Sequence, residues 1–411
     1  MKFTGRLVVA FSFLTHSCLF STGFDNRFLP FVHEAVIRTV EQRSHLKAAP
    51  FFMIGDSAYG SGPKKKKGIP ELSGPFDLRL LAHASETVGN ANRLRPVWQT
   101  AYDILWDVHG KIQGQGVIFG GEYSFGNLSF GASTTFLHLS SNQKFVLPRK
   151  TSSDLYLTAA DEVEIDENRR QTLKDLGFES CQWSDSSFTD TEIFVRYGWV
   201  KDYVLKCRQA GCGMKFGLLV PSASLRVQNN PASIPFGGDD MLGFFWGVDG
   251  AFELKEDMWF NFLLNLSSRF DKTQVRRLPV KGEPEIFGAT QGDVRIDPGV
   301  TVEVSPALIF NKIRDRVSFK LQYLFTSHAG DVWSDRRTDK TISVDFSNIY
   351  NRSKWISEYL SCNVFYDYGT VTETKKLSPK IGFSWDIPVK FLKPRDVART
   401  QRIGFFIECC F

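Results

Sequence analysis

Beyond residue 23 the sequence contains no run of about 18 apolar residues, which excludes membrane-spanning helices. Cysteine is scarce, seven in 411 residues, and Cys181, Cys362, Cys409 and Cys410 show none of the paired spacing that a zinc centre uses. No metal and no cofactor are therefore expected. Cys207 and Cys212 flank a short turn-like "RQAG"; a disulfide across it and a pair of free thiols are both compatible with that spacing. The remaining thiols read as small apolar side chains. A net charge of +5 is too small to point to a nucleic-acid partner.

Phenylalanine and glycine, in contrast, are abundant: 37 and 33 residues, with aromatics at 14%. Charged residues are not depleted, and the mean hydropathy is slightly negative. An inner-membrane protein would not have this mixture. A β-barrel with a greasy outer face and a polar inner face would.

The first residues, "MKFTGRLVVAFSFLTHSCLFSTG", place Lys2 and Arg6 before an apolar run from Leu7 to Phe20 and end on small residues. That layout predicts a secretory signal peptide over 1–23, cleaved before Phe24. The run is short and holds His16, which disfavours a permanent span. Cys18 would suit a lipoprotein, but Thr15 and His16 fit that signal poorly. A periplasmic segment is expected over 24–42.

From Trp106 onward, two-residue alternation recurs. In "WDVHGKIQGQGVIFG", Asp107, His109, Lys111, Gln113 and Gln115 share one parity, while Trp106, Val108, Ile112 and Ile118 share the other. Similar stripes predict strands near 43–58, 105–124, 127–140, 190–206, 212–224, 240–254, 257–270, 294–310, 315–328, 353–369, 376–389 and 398–411. The strand over 353–369 carries one anomaly, because Glu358 falls on the apolar parity.

Short connections at 125–126, 207–211, 255–256, 311–314 and 370–375 alternate with long ones at 59–104, 141–189, 225–239, 271–293 and 329–352. The connection at 390–397 is of middling length. With both termini on one side, an even strand number puts every long connection on the other side. A soluble sandwich has no reason to obey that parity. A bilayer barrel does, because lipid leaves exposed backbone groups unsatisfied and the sheet must close. The expected fold class is therefore all-β, a closed antiparallel transmembrane β-barrel of about 12 strands (12–14), with long outer loops and a short helix, and the barrel domain spanning 43–411. Tyr123, Trp199, Trp259, Trp355 and Trp385 fall near predicted strand ends, where amphipathic rings favour the interface.

The chain closes on "RIGFFIECCF". With that ending, the signal and the alternation, the sequence resembles Gram-negative bacterial outer-membrane β-barrel proteins of the porin and diffusion-channel kind. In that class the last strand carries a glycine, alternating apolar residues and a final aromatic, read by the barrel-assembly machinery. Gly404, Phe405, Ile407 and Phe411 match that assembly signal, while Cys409 stands where a bulkier apolar residue is usual. The resemblance implies the outer membrane as location, with outer-membrane lipid and lipopolysaccharide as surroundings and small solutes as cargo.

The inward parity nominates a pore lining of Asp107, His109, Lys111, Gln113, Gln115, Asp249, Glu253, Arg269, Arg295, Asp297, Glu303, Lys320, Lys380, Asp386, Arg402 and Glu408. These could select solutes or form a structural network across a narrow lumen. "DENRRQTLKDLGF", 166–178, reads as a helix in an outer connection, capped by Gly177 and lying on the surface or in the mouth. Lys64 to Lys67, Arg276-Arg277 and Arg336-Arg337 form basic loop clusters that suit anionic lipopolysaccharide or plain solvent.

No enzyme is expected. Ser133 and Ser140 lie near His138, but Ser133 has the opposite parity. The Asp239-Asp240 pair in "GGDDM" reads as a turn. Three functions fit: a passive channel with a polar lumen, a structural or surface-interaction barrel with a filled lumen, and a transporter of apolar compounds. The third would need a lateral opening, which Pro298, Pro306 or Pro379 could mark, since proline cannot donate to a ladder.

Overall fold

The computed structural model describes residues 26–29, 44–61, 66–100, 103–147, 157–178, 180–203, 207–280, 282–314, 316–368 and 378–410. The expected signal over 1–23 and Phe411 lie outside these residues. Twelve strands form the barrel: β1 (His45–Tyr59), β2 (Leu105–Phe125), β3 (Leu128–Val146), β4 (Thr191–Asp202), β5 (Gln209–Val220), β6 (Gly243–Lys255), β7 (Met258–Arg269), β8 (Thr301–Arg314), β9 (Val317–His328), β10 (Trp355–Asp367), β11 (Ser378–Pro388) and β12 (Val397–Cys410). Each pairs antiparallel with its chain neighbour. β1 also pairs with β12, from His45↔Cys410 to Tyr59↔Val397, so the sheet has no free edge.

Turn chemistry fixes the register. Phe125 pairs with Leu128 across Gly126-Asn127, and Gly126 adopts φ +59°, the left-handed value that a II′-like hairpin reserves for glycine. Asp257 takes φ +61° in the β6–β7 turn, a conformation that Asp tolerates better than most side chains.

The outward parity is apolar. Phe52 and Ile54 on β1, Phe130 and Phe136 on β3, and Ile193, Val195 and Tyr197 on β4 are all exposed. So are Met214, Phe216 and Leu218 on β5, and Ile403, Phe405 and Ile407 on β12. A belt of this size encircling the sheet is what a bilayer covers. Tyr123, Trp199 and Trp385 belong to it, but Trp259 and Trp355, expected at the interface, are buried on the inward parity.

Three features depart from the sequence expectation. The predicted strand 294–310 is two elements. Residues Thr290–Asp297 pair with Lys272–Leu278 and Val332–Asp335 in a separate three-stranded sheet at the long-loop end. The barrel strand begins only at Thr301, after Pro298 and Gly299.

Second, β2 and β3 rise beyond the belt, and a cap packs on their lumen side. The cap contains helices α1 (Leu78–Thr87) and α2 (Ala159–Asp175). Their Leu81, Ile165 and Leu173 bury against Trp106, Val108, Phe145 and Phe287. α2 starts earlier than the helix expected at 166–178. Thr158 and Asp161 form a capping box there, and at the far end Gly177 takes φ +76°.

Third, Glu358 keeps its outward parity yet is buried. The connection 389–396 folds over it, and its carboxylate accepts hydrogen bonds from the backbone N–H of Phe391 (2.8 Å) and Leu392 (2.9 Å) and from the Tyr323 hydroxyl (3.2 Å).

Candidate functional site

The inward parity of β4 to β12 carries side chains that pair across the strands. Arg196 lies flat along the wall and donates twice to Asp249, at 2.7 and 2.6 Å. Two glycines make room for it: a Cβ on Gly213 would stand 2.2 Å from the Arg196 guanidinium, and one on Gly198 2.5 Å away. Lys215 approaches Glu192 at 3.9 Å and sits over the Phe194 ring.

Arg269 pairs with Asp190 at 2.7 Å, and Asp190 also accepts from the Gly238 N–H at 2.6 Å. Any side chain at Gly237 or Gly238 would overlap that pair. Asn265 donates to Glu303 and Gln322 to Ser305. Arg402 pairs with Asp386 at 2.6 Å, and Lys380 faces Glu408 at 3.9 Å.

Of the nominated lining, Asp249, Glu253, Arg269, Glu303, Lys320, Lys380, Asp386, Arg402 and Glu408 face the lumen. Seven residues do not. Asp107, His109, Lys111, Gln113 and Gln115 point outward, and the apolar Trp106, Val108 and Ile112 point inward. At Asp107, His109 and Lys111, where the β2–β3 wall rises past the belt, the rule reverses: its outer face meets water, while its inner face packs on the cap; Gln113 and Gln115 pair with Ile54 and Phe52 of the belt itself. Arg295 and Asp297 lie in the separate loop sheet, where Arg295 pairs with Asp271 at 2.7 Å. Arg196, Glu192 and Asp190 were missed, although Glu192 and Arg196 alternate with Ile193, Val195 and Tyr197 in "EIFVRYGW".

The upper lumen also holds inserts that the strand pattern does not announce. Of the segment expected in the periplasm, residues 26–29 are packed inside the barrel. Arg27 O accepts from the Ala398 N–H at 3.0 Å. Asn26 Nδ2 donates to Pro235 O at 2.7 Å. Phe28 and Leu29 join Ile234 and Phe236 of the 221–242 connection in one apolar cluster, packed against Phe51 and Met53 of β1, Ile112 of β2 and Leu137 and Leu139 of β3.

A cavity of about 190 Å³ lies above this cluster and a second of about 150 Å³ lies below it. The upper one is lined by Phe28, Arg226, Met241 and Trp355, among others, and the lower by Lys47, Phe51, Asp386 and Arg402, among others.

The basic loop pairs divide. Arg276 and Arg277 are buried, so they cannot form the surface patch the sequence suggested. Arg277 donates to Gln228 O, Gly288 O and Leu176 O and lies over the Phe178 ring, clamping the cap; burial draws its pKa down to about 10. Asp239 pairs with Arg276 at 3.1 Å and Asp240 with Lys272, which fixes the "GGDDM" turn.

His138 lies on the outer wall between Ser186 Oγ (2.7 Å) and Ser184 Oγ (3.3 Å), whereas Ser133 faces inward toward Glu192. Cys207 and Cys212 are not bonded to each other. Among the described residues no group of three or more His, Cys, Asp or Glu side chains could hold a metal ion.

No family model matches the chain, and no curated protein matches it. Solved structures do. The chain is similar to an outer-membrane channel from Pseudomonas putida F1, with a TM-score of 0.50 and 8% identity, covering 93% of this chain and 100% of that one. The transport unit of the autotransporter AIDA-I from Escherichia coli has a TM-score of 0.39 at 7% identity, covering 93% of both chains. At such identity the likeness is one of fold: the chain is a closed, twelve-stranded antiparallel β-barrel of the outer-membrane type.

Proposed function

We propose that the chain is an outer-membrane channel for small solutes, held closed by inserts folded into its upper lumen. One observation carries this reading. Phe28, Leu29, Ile234 and Phe236, which sit on inserted segments, form one apolar cluster with Phe51; Phe28 lines the upper cavity and Phe51 the lower. A wall constriction is permanent. An insert held by side-chain packing and a few hydrogen bonds can open with the low local stability usual for gating elements.

Below the inserts, Lys47, Asp386, Arg402 and Glu408 line the lower cavity and would tune passage by charge. The outer-membrane setting supplies lipid for the apolar belt and lipopolysaccharide at the loop end. Delivery by the barrel-assembly machinery would rest on Gly404, Phe405, Ile407 and Phe411.

A structural barrel is the second reading, favoured by the fully buried Leu137, Leu139 and Phe236 in the upper lumen. Planar-bilayer recording of the purified full chain separates the two. The channel reading expects discrete conductance steps that become more frequent when Phe28 and Leu29 are both replaced by alanine. Silence in both proteins at every voltage would overturn it.

A further inference from the structure

The upper cavity is lined by five arginines: Arg27, Arg226, Arg269, Arg276 and Arg277. Four are engaged. Arg269 holds Asp190, Arg276 holds Asp239, Arg277 holds three carbonyls, and Arg27 donates to Arg352 O and Ser73 and faces Glu285 at 3.8 Å.

Arg226 differs. Among the described residues its guanidinium has no hydrogen-bond or ion-pair partner, though it borders the cavity and is only partly exposed. Burial draws its pKa down to about 10, against the pull of Asp239 and Glu285, so it stays charged at neutral pH. A partly buried charged donor without a partner beside apolar surface is costly, and an anion in the cavity would relieve that cost.

The same cavity bears a second sign. The Nε of Arg276 is buried and without an acceptor. Opposing charge is present but smaller, three carboxylates against five guanidiniums: Asp239 pairs with Arg276, Asp331 with His328 at 3.0 Å, and Glu285 faces Arg27 at 3.8 Å. The rest of the lining includes Phe28, Met241, Ile286, Trp333 and Trp355, which offer apolar surface. A cavity of about 150 Å³ holds benzene in a well-studied engineered case, so about 190 Å³ suits one ring with a small polar group.

We infer that the upper cavity is a binding site for a small monocarboxylate with an apolar body, its carboxylate gripped by Arg226 and its body against Phe28 and Trp355. A guanidinium fork matches a carboxylate with two parallel hydrogen bonds. The inference deepens the channel reading by naming a solute class at its entrance, yet it stands on binding alone.

The test is equilibrium binding to the purified, folded full chain in detergent, by calorimetry, with benzoate as probe and benzyl alcohol, toluene and inorganic phosphate as comparators. Benzoate should bind at least about tenfold more tightly than benzyl alcohol or toluene, because the charge-assisted pair is worth about that much. Phosphate should bind more weakly than benzoate, since it lacks the apolar body.

Arg226→Gln should reduce benzoate affinity about tenfold or more and leave toluene binding unchanged. Should Arg226→Gln misfold, the comparison of benzoate with benzyl alcohol on the native chain still decides. Equal affinities there, phosphate as tight as benzoate, or undiminished binding in a folded Arg226→Gln would each overturn the site. A chain that binds benzoate but never conducts would overturn the channel reading and leave this site standing.

Discussion

The flat pairing of Arg196 with Asp249 depends on two glycines, and this makes a sharp prediction for Gly213→Ala. The added methyl would stand 2.2 Å from Arg196 Nη2 and 2.4 Å from Cζ, and all three of its nearest atoms belong to that one side chain. The guanidinium must therefore leave, and with it the two hydrogen bonds at 2.7 and 2.6 Å. Arg196 is 3% exposed and Asp249 26%. Breaking a fully buried pair costs about 3–5 kcal/mol and an exposed one under about 1. This pair lies between, at about 2 kcal/mol.

Against that cost stands a gain. Replacing glycine by alanine where φ is ordinary stiffens the unfolded chain by about 0.4–1 kcal/mol, and Gly213 has no positive φ. The net expectation is a destabilisation of about 1–1.5 kcal/mol in the native background. In an Arg196→Ala background the methyl meets no guanidinium, so the sign reverses and Gly213→Ala becomes neutral or mildly stabilising. Urea unfolding of the detergent-folded barrel, followed by tryptophan fluorescence, measures all four corners of the cycle. Equal costs in the two backgrounds would refute the reasoning, because the glycine would then not be serving the arginine.

Other outcomes follow from the same structure. Glu358→Ala should strip the Phe391 and Leu392 N–H groups of their acceptor, costing about 1–3 kcal/mol and exposing the 389–396 connection to protease while Glu358→Gln is cut more slowly; equal cleavage of both would refute it. Phe28→Ala should cost about 3 kcal/mol or more if residues 26–29 are integral to the upper lumen, and a cost near zero in urea unfolding would mean that they are not. Acidification should loosen α2. Thr158 holds Asp161, and Arg93 holds Asp175, below the usual carboxylate value of 3.8. A carboxyl depressed in the folded state stabilises above its unfolded value and loses that contribution as pH falls through its folded one. Amide exchange over 159–178 should thus quicken as pH drops below about 3.8 relative to exchange in the barrel strands, and unchanged relative protection would count against the capping role.

The wall was legible in the sequence because a bilayer forces it to be. Lipid on one side and lumen on the other impose a period of two, so most of the twelve barrel strands could be placed from stripes such as Phe405, Ile407 against Arg402, Glu408. The same rule misled where its premise fails. Asp107 to Lys111 alternate as cleanly as any span, but β2 rises past the belt there, and polar residues turn to outside water while Trp106 and Val108 turn in. Period alone cannot separate these cases, because it reports that the two faces differ and not which solvent each one meets. Val294 and Ile296 show the same limit: they extend the stripe of β8 in sequence but belong to another sheet across the break at Pro298.

The lumen contents were not legible for a further reason. Phe28, Ile234 and Leu139 come from three distant parts of the chain, and neither Phe28 nor Ile234 sits in a pattern that a local reading can weigh. Arg226 is a single arginine in an irregular connection; its meaning comes only from the cavity it borders. A strand pattern therefore identifies the fold while remaining silent about the lumen's contents, since the wall answers to lipid and the lumen to what is folded inside the wall. What fills this lumen comes partly from the regular inward parity, as with Arg196 in an aromatic strand, and partly from outside it, as with Gly237 and Gly238 against the Arg269–Asp190 pair and Arg226 beside the upper cavity.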